Sequence, residues 1–168
     1  MCDLTRQIPL GNGLFALVDA EDYERISAFN WFANSGGSAT LYAVRMSQTA
    51  GERIHISMHR EVMSAQPGTL VDHKNHNGLD NRKINLRLCT KSQNSANQPP
   101  KTGRYKGVFP HRYGWMARIV VDKKPQYLGY FSAADDAAQA YNTAAQRLFG
   151  EFACLNVIGN GLVPQKGR

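Results

Sequence analysis

The chain has 168 residues, enough for one ordinary domain or for two or three small ones that share little core. Its 20 lysines and arginines outnumber 13 acidic residues, and the net charge of +7 favours a polyanionic partner such as nucleic acid. No apolar run approaches the roughly 20 residues of a membrane-spanning helix, so we expect no membrane partner.

Cysteine usage narrows the range of metal sites. Cys2, Cys89 and Cys154 lie far apart, and none of them forms a C-x-x-C pair. A structural zinc ion held between two such pairs is therefore not expected. The odd number of thiols and the lack of a signal peptide predict a reducing cytoplasm.

Residues 1–58 are predicted to form a small unit rich in β-structure. Segments 7–10 and 14–18 have the composition of strands, and the glycines between them suit a tight turn. Asp19 is expected to cap a short helix over 20–29, where acidic residues occupy the first turn. Three further strands are predicted, at 31–33, 41–45 and 54–58.

The stretch 71–97 carries more side-chain chemistry than a connection needs. Asp72 precedes His73, a loop rich in Asn, Gly and Asp follows, and an apolar-basic strand then leads into a polar helix. Asp72 and Asn94 offer only oxygen ligands, which suit a hard cation such as Mg²⁺. The charge of His73 changes near neutral pH, as that of a general base should. These are the parts of a metal-assisted phosphodiesterase.

In this order the residues resemble the HNH endonuclease motif, a strand, strand and helix around a metal ion, in the subfamily of phage and intron homing endonucleases. The resemblance implies that Asp72 binds the metal, that His73 activates water and that Asn85 braces the loop. Asn94 on the helix would complete the metal site. The implied cofactor is Mg²⁺, with Mn²⁺ as an alternative, and the implied setting is a bacterial or phage-infected host cell.

Several positions around the motif have less certain roles. The family often has His where Asn94 stands, and Asn97 lies one helical turn further on the same face, so Asn94 is the first choice and Asn97 the alternative. Asn81 is expected to satisfy backbone groups of the loop. On a short helix before the motif, His59 is expected to support the site, and Arg60 is a candidate phosphate contact.

Residues 98–104 contain two prolines and a glycine and predict a linker. Beyond it, strands are predicted at 105–109, 115–121 and 126–131, followed by a helix capped by Ser132 with Asp135 three positions later. The helix is expected to lie on one face of the sheet through Ala137, Tyr141, Ala144, Ala145 and Leu148. Strand alternation directs Trp115, Ala117 and Ile119 to the helix, and Met116, Arg118 and Val120 outward.

Residues 105–156 resemble the DNA-binding domain of plant ethylene-response factors of the Apetala type, in segments 105–108 and 127–131 and in the alanine-rich helix. Phe109 and Val120 stand where the plant family often has arginine, so base preference does not transfer. The resemblance places DNA contacts at Lys106, His111, Arg118 and Tyr127, with Arg112 close by.

The sequence thus predicts an α+β protein. Its segments are a β-rich unit (1–58), a ββα-metal nuclease motif (59–97), a linker (98–104), a three-stranded antiparallel sheet on one helix (105–156) and a flexible tail (157–168). The predicted function is a homing-type, metal-dependent endonuclease acting on double-stranded DNA, with site recognition by the C-terminal domain. The alternative is a DNA-binding transcriptional regulator with an inactive HNH scaffold. No small-molecule cofactor is expected, and both a nicking monomer and a homodimer remain open.

Overall fold

The structure, a computed structural model, describes residues 5–37, 40–49, 51–100 and 104–159, without the Thr49 side chain. The chain divides into two compact units, Met1–Cys89 and Thr90–Arg168. Most of the predicted tail, and residues 101–103 of the predicted linker, lie outside the described residues.

The division between the units does not coincide with the predicted segment boundaries at residues 58 and 97. In the first unit, the N-terminal hairpin and the strands of the nuclease motif share one hydrophobic core, which includes Ile8, Met58 and Leu86. The helix of the motif belongs to the second unit.

Among its described residues, the first unit has three small antiparallel sheets and two helices. Strands β1 and β2 form a hairpin, β3, β4 and β5 form a three-stranded sheet in that order, and β6 pairs with β7. Their bounds are β1 Thr5–Gly11, β2 Leu14–Asp19, α1 Ala20–Ser27, β3 Phe32–Asn34, β4 Tyr42–Thr49, β5 Glu52–Ser57, α2 Met58–Val62, β6 Leu70–His73 and β7 Leu86–Cys89.

The predicted turn between β1 and β2 is confirmed. Gly11, Asn12 and Gly13 all have positive φ, a conformation that glycine and asparagine adopt at low cost. Strand alternation buries Ile8 on β1 and Val18 on β2, and both belong to the core.

The predicted cap of α1 is wrong. Asp19 is the residue before the helix, but its side chain makes no capping hydrogen bond. Its Oδ2 atom instead accepts from the backbone N–H of Lys83, at 2.7 Å. The carboxylate therefore holds a distant loop rather than its own helix, a use that local propensity does not predict.

The second unit contains α3, a three-stranded antiparallel sheet of order β10-β9-β8, and a long helix. Together with the first unit it confirms the predicted α+β class. The bounds are α3 Lys91–Asn97, β8 Val108–His111, β9 Gly114–Val121, β10 Lys124–Phe131 and α4 Ala134–Phe149, followed by a short 3₁₀ turn at Gly150–Phe152.

Strand β9 shows the predicted alternation, since Trp115, Ala117 and Ile119 are buried whereas Arg118 and Val120 are exposed. The buried face packs against α4 through alanines, which allow helix and sheet to lie close together. Of the predicted stripe on α4, Ala137, Tyr141, Ala144 and Ala145 are buried. Leu148 is 37% exposed, and Phe149 packs against the core cluster at that end of the helix.

The start of α4 also differs from the prediction. The residue before the helix is Ala133, not Ser132, and no side chain caps it. The carboxylate of Asp135, expected in the capping pattern, accepts from the hydroxyl of Tyr105 at 2.8 Å. As with Asp19, a tertiary contact takes the group that a local motif would use.

Gly107 offers a test of this packing. A Cβ atom there would lie 2.1 Å from the Tyr141 ring and 2.6 Å from the Arg118 carbonyl, on backbone with φ 74°. We expect Gly107→Ala to lower the free energy of unfolding of the second unit by about 3 kcal/mol, from overpacking and a strained φ. Gly150→Ala is the control, because its φ is also positive but nothing lies within 4 Å of its Cβ. Denaturant unfolding would measure both, and equal losses would contradict the proposed clash.

Candidate active site

The β6–β7 hairpin carries the acid and the imidazole of the motif. Asp72 pairs in register with Arg87, and His73 with Leu86. Both Asp72 and His73 are buried, with exposed fractions of 7% and 5%. The two groups therefore depend on protein partners rather than on bulk water.

Arg87 is the partner of Asp72 that the sequence analysis missed. Its Nε atom donates to Oδ2 of Asp72 at 2.9 Å, and its Nη2 atom lies 2.8 Å from the same oxygen. Both side chains are buried, so this ion pair fixes the carboxylate and balances its charge. The sequence signal that could have revealed this partner is the single arginine in the otherwise apolar strand β7.

Asn81 sets the tautomer of His73. Its Oδ1 atom lies 3.3 Å from Nε2 of the imidazole, and Asn81 is completely buried. With the Asn81 amide in this orientation its oxygen faces the ring and can only accept, so Nε2 is the donor and the lone pair lies on Nδ1. This contact differs from the expected role of Asn81, which was to satisfy backbone groups of the loop.

A cluster of rings surrounds His73. The His59 ring lies 5.0 Å from the His73 ring, and Tyr42 lies 5.8 Å from each of them. Burial lowers the pKa of His73, although Asn81 and nearby carboxylates act in the opposite direction. Burial, assisted by His73 and Arg60, lowers the pKa of His59 to about 3. Both imidazoles are therefore neutral near pH 7.

Asn85 braces the loop between β6 and β7. Its Oδ1 atom accepts from the backbone of Asn75 at 3.0 Å, and its Nδ2 atom donates to the carbonyl of Asp80 at 2.8 Å. The Asp80 carboxylate is buried and accepts twice from Arg82, at 2.8 Å each. The Arg82 guanidinium holds the pKa of Asp80 below its usual value, against the opposing effect of burial.

The N-terminal hairpin holds the same loop. The backbone N–H of Leu17 donates to Leu79, and its carbonyl accepts from Asn81, both at 2.8 Å. Gly78 packs tightly, since a Cβ atom there would lie 2.3 Å from the Leu41 carbonyl. Residues with no catalytic signature in the sequence thus position the loop that supports His73.

The first unit brings together Asp72, His73, Asn85 and their predicted supports. Asn94 lies on α3, in the second unit, where a reciprocal capping box between Thr90 and Gln93 starts the helix. Asn94 is half-buried and the alternative ligand Asn97 is buried. The pairing of Asp72 with a helix asparagine therefore stays a prediction.

The predicted metal ligands, Asp72 and Asn94, offer oxygen atoms to a cation. In the part of the chain that the structure describes, no group of three or more His, Cys, Asp and Glu side chains is arranged to hold a metal. The predicted ligands, the Asp72 carboxylate and the Asn94 amide, are hard donors and fit a cation that keeps several waters. Of the thiols, the described Cys89 and Cys154 are both free.

Arg60 and Lys106, two of the residues predicted to contact DNA, bind backbone carbonyls of the protein. The guanidinium of Arg60 donates to the carbonyls of Thr69, Ala65 and Gln66. The ammonium of Lys106 also donates to three carbonyls. Neither structural use is signalled by the sequence, and DNA contact by either residue stays a prediction.

The other predicted contacts lie on the exposed side of the C-terminal sheet or in its turn. His111, Arg112, Arg118 and Tyr127 are exposed. Arg118 lies over the Phe109 ring at 4.3 Å, and His111 contacts the ring of Tyr130 at 4.4 Å. This surface is more aromatic and less basic than the sequence analysis described.

His59 generates a prediction about stability and pH. Its folded-state pKa of about 3 lies below the ordinary 6.5, so between these values the unfolded chain binds a proton that the folded chain excludes. This contribution to stability is complete above pH 6.5 and is lost as the pH falls, by up to about 1.4 kcal/mol per pH unit. We expect His59→Phe to flatten the dependence in this window and the exposed control His55→Phe to leave it unchanged. Denaturant unfolding at several pH values measures the slopes, and equal slopes for wild type and His59→Phe would contradict the assignment.

Similarity to known proteins covers most of the chain. Residues 66–96 match the HNH endonuclease family. An uncharacterized HNH endonuclease of Acanthamoeba polyphaga mimivirus is 31% identical over 151 residues, which are 88% of this chain and 78% of that protein. No solved structure matches significantly. No helix among the described residues has the length and apolar character to cross a bilayer.

A second similarity is partial. An ethylene-responsive transcription factor of Arabidopsis thaliana is 38% identical over 71 residues, which are 40% of this chain and 28% of the plant protein. It agrees with the resemblance to ethylene-response factors, whereas the viral protein matches over 88% of the chain. On the match to the motif and the length of the viral similarity, the chain belongs to the HNH endonuclease family.

Proposed function

We propose that this protein is a homing-type, metal-dependent endonuclease that hydrolyses a phosphodiester bond in double-stranded DNA, with the C-terminal sheet recognising the site. The observation that carries the proposal is the buried pair Asp72 and His73, with the carboxylate held by Arg87 and the imidazole by Asn81. Such pre-organised groups are what hydrolysis requires, whereas a scaffold needs no neutral imidazole with a defined tautomer.

His73 is the proposed general base. Its lowered pKa keeps the ring neutral near pH 7, and the hydrogen bond to Asn81 leaves the lone pair on Nδ1. The ring contacts with Tyr42 and His59 restrict its orientation. A water molecule at Nδ1 would be deprotonated or oriented for attack on phosphorus.

Asp72 and Asn94 are the proposed ligands of one divalent ion. When bound, Mg²⁺ or Mn²⁺ would polarise the scissile phosphate and stabilise the leaving 3′ oxygen. Arg87 holds the Asp72 carboxylate in one orientation, and Asn85 keeps the loop shape. The expected products carry a 5′ phosphate and a 3′ hydroxyl group.

The outer face of the C-terminal sheet is the proposed reader of DNA. A bulge between Tyr127 and Gly129 changes the register of β10, so Tyr127 pairs with Arg118 and Tyr130 with Met116 on the same face. The two tyrosine rings lie 5.1 Å apart, and each is more than half exposed. The similarity to a plant transcription factor supports DNA as the partner of this region.

Cleavage of duplex DNA in the presence of Mg²⁺ tests the function. We expect EDTA to abolish cleavage and His73→Ala to lower the single-turnover rate by about a hundred-fold or more, the usual effect of losing a positioned base. DNA affinity, measured in EDTA, should change little. His55→Ala, at an exposed histidine of β5, is the matched control and should cleave normally.

The outcomes separate this function from its alternative. Full cleavage in EDTA would exclude the metal mechanism. If the wild-type protein binds DNA tightly but does not cleave it with any divalent metal, the result would instead support a transcriptional regulator. An active His73→Ala protein would remove His73 from the role of base.

Arg118 tests the recognition surface. If its guanidinium contacts a phosphate, Arg118→Ala should weaken binding to all duplexes and reduce the slope of log affinity against log salt by about 0.9. Arg147→Ala is the control, since Arg147 is exposed on α4, which packs on the opposite face of the sheet. Equal salt slopes for the two variants would mean that this face does not bind the backbone of DNA.

A further inference from the structure

Lys106 binds the end of the nuclease-motif helix. Its Nζ atom donates to the backbone carbonyls of Ser95 at 3.0 Å, Ala96 at 2.7 Å and Gln98 at 2.6 Å. An ammonium group has three donors, so these three acceptors use its full capacity. Burial lowers the pKa of Lys106, which agrees with a cation removed from solvent.

The position of this cation suits a helix terminus. Helix α3 has seven residues, and a helix of this length has little stability of its own. Its last carbonyls have no partners within the helix and form the negative end of the helix dipole. Lys106 binds two carbonyls of the last turn, Ser95 and Ala96, and the carbonyl of the C-cap residue Gln98, and its charge offsets the dipole.

Other contacts fix α3 within the second unit. The backbone N–H of Cys154 donates to the Ala96 carbonyl at 3.0 Å, and that of Asp122 donates to the Ser92 hydroxyl at 3.3 Å. The capping box of Thr90 and Gln93 closes the other end of the helix. Other residues of the second unit thus hold α3 at several points, and Lys106 supplies three of the hydrogen bonds.

We propose that Lys106 is a positioning residue of the nuclease, which holds α3 and with it the metal ligand Asn94, and that it does not grip DNA. This inference rests on the proposed role of Asn94. Asn94 is the residue before Ser95, whose carbonyl Lys106 binds. Loosening this end of the helix therefore displaces the Asn94 side chain. In this arrangement a lysine outside the nuclease motif positions the proposed ligand Asn94 through contacts within the second unit.

The substitution Lys106→Arg distinguishes an anchor of α3 from a phosphate contact. The three carbonyls converge on one compact ammonium group, and the wider planar guanidinium directs its donors apart. Lys106→Arg should therefore fail as a helix anchor. The same substitution preserves a phosphate contact, because arginine binds phosphate at least as well as lysine.

The experiment compares full-length Lys106→Met, Lys106→Arg and Lys124→Met. Lys124 is an exposed lysine of the same unit and controls for the loss of charge. Mn²⁺ affinity is measured without DNA by electron paramagnetic resonance, DNA affinity is measured in EDTA across a salt series, and cleavage is measured against metal concentration. Asn94→Ala shows the effect of losing the ligand itself.

We expect both Lys106 variants to weaken Mn²⁺ binding by about ten- to a hundred-fold, the usual cost of losing a group that orients a metal ligand. The metal concentration needed for cleavage should rise in parallel. DNA affinity in EDTA and its salt slope should match the wild type. Lys124→Met should bind Mn²⁺ normally.

The opposite pattern would overturn the inference. In that pattern Lys106→Met binds Mn²⁺ normally, and its slope of log DNA affinity against log salt is reduced by about 0.9. Lys106→Arg then recovers the DNA affinity of the wild type, as expected for a phosphate contact. If Lys106→Met fails to fold, Ser92→Ala decides, because it removes a second anchor of α3 and should also weaken Mn²⁺ binding. Normal Mn²⁺ binding by Ser92→Ala would then refute the positioning of the ligand through this helix.

The result for Asn94→Ala separates this inference from the proposed function. If the wild type binds Mn²⁺ and cleaves but Asn94→Ala binds the ion normally, the ligand assignment fails and the inference fails with it. If Asn94→Ala loses Mn²⁺ whereas the Lys106 variants keep it, only the inference fails.

Discussion

The structure of the first unit depends on two backbone hydrogen bonds made by Leu17. Its N–H and carbonyl bind Leu79 and Asn81, which fixes the motif loop against strand β2. The same segment delivers the Asn81 amide to His73, so the geometry of the imidazole follows from a strand with no catalytic residue. The shared core of the hairpin and the motif makes this contact durable, because strands as short as β6 and β7 need other elements to be stable.

Burial of the site has electrostatic consequences. A carboxylate as buried as Asp72 needs a paired cation, and Arg87 supplies it across the hairpin. The imidazoles of His59 and His73 need no such cation or anion, because desolvation lowers the pKa of each ring and keeps it neutral. One environment therefore holds a carboxylate paired with arginine beside an uncharged imidazole, the combination that the proposed activation of water next to a cation requires.

The sequence predicted the elements better than the partners. Alternation and turn residues located the strands, because these signals are local. Asp19 and Asp135 were assigned to helix caps, but each binds a group distant in sequence, Lys83 or Tyr105. Arg87 could have been found by aligning the two strands of the hairpin with Asp72. The ring contacts of Tyr42 and the carbonyls at Lys106 depend on tertiary packing, which no local pattern encodes.

The outer face of the C-terminal sheet suggests how charge and specificity are divided. Within β8–β10, all of which the structure describes, the outward positions hold mainly aromatic and apolar side chains around Arg118. The exposed cations Arg112 and Lys123 lie in the turns between the strands. Phosphate contacts fix register and base contacts specify sequence, so cations at the rim and rings at the centre suit these two tasks. A face of this kind would bind with a modest salt dependence and derive more of its selectivity from contacts with bases and sugars.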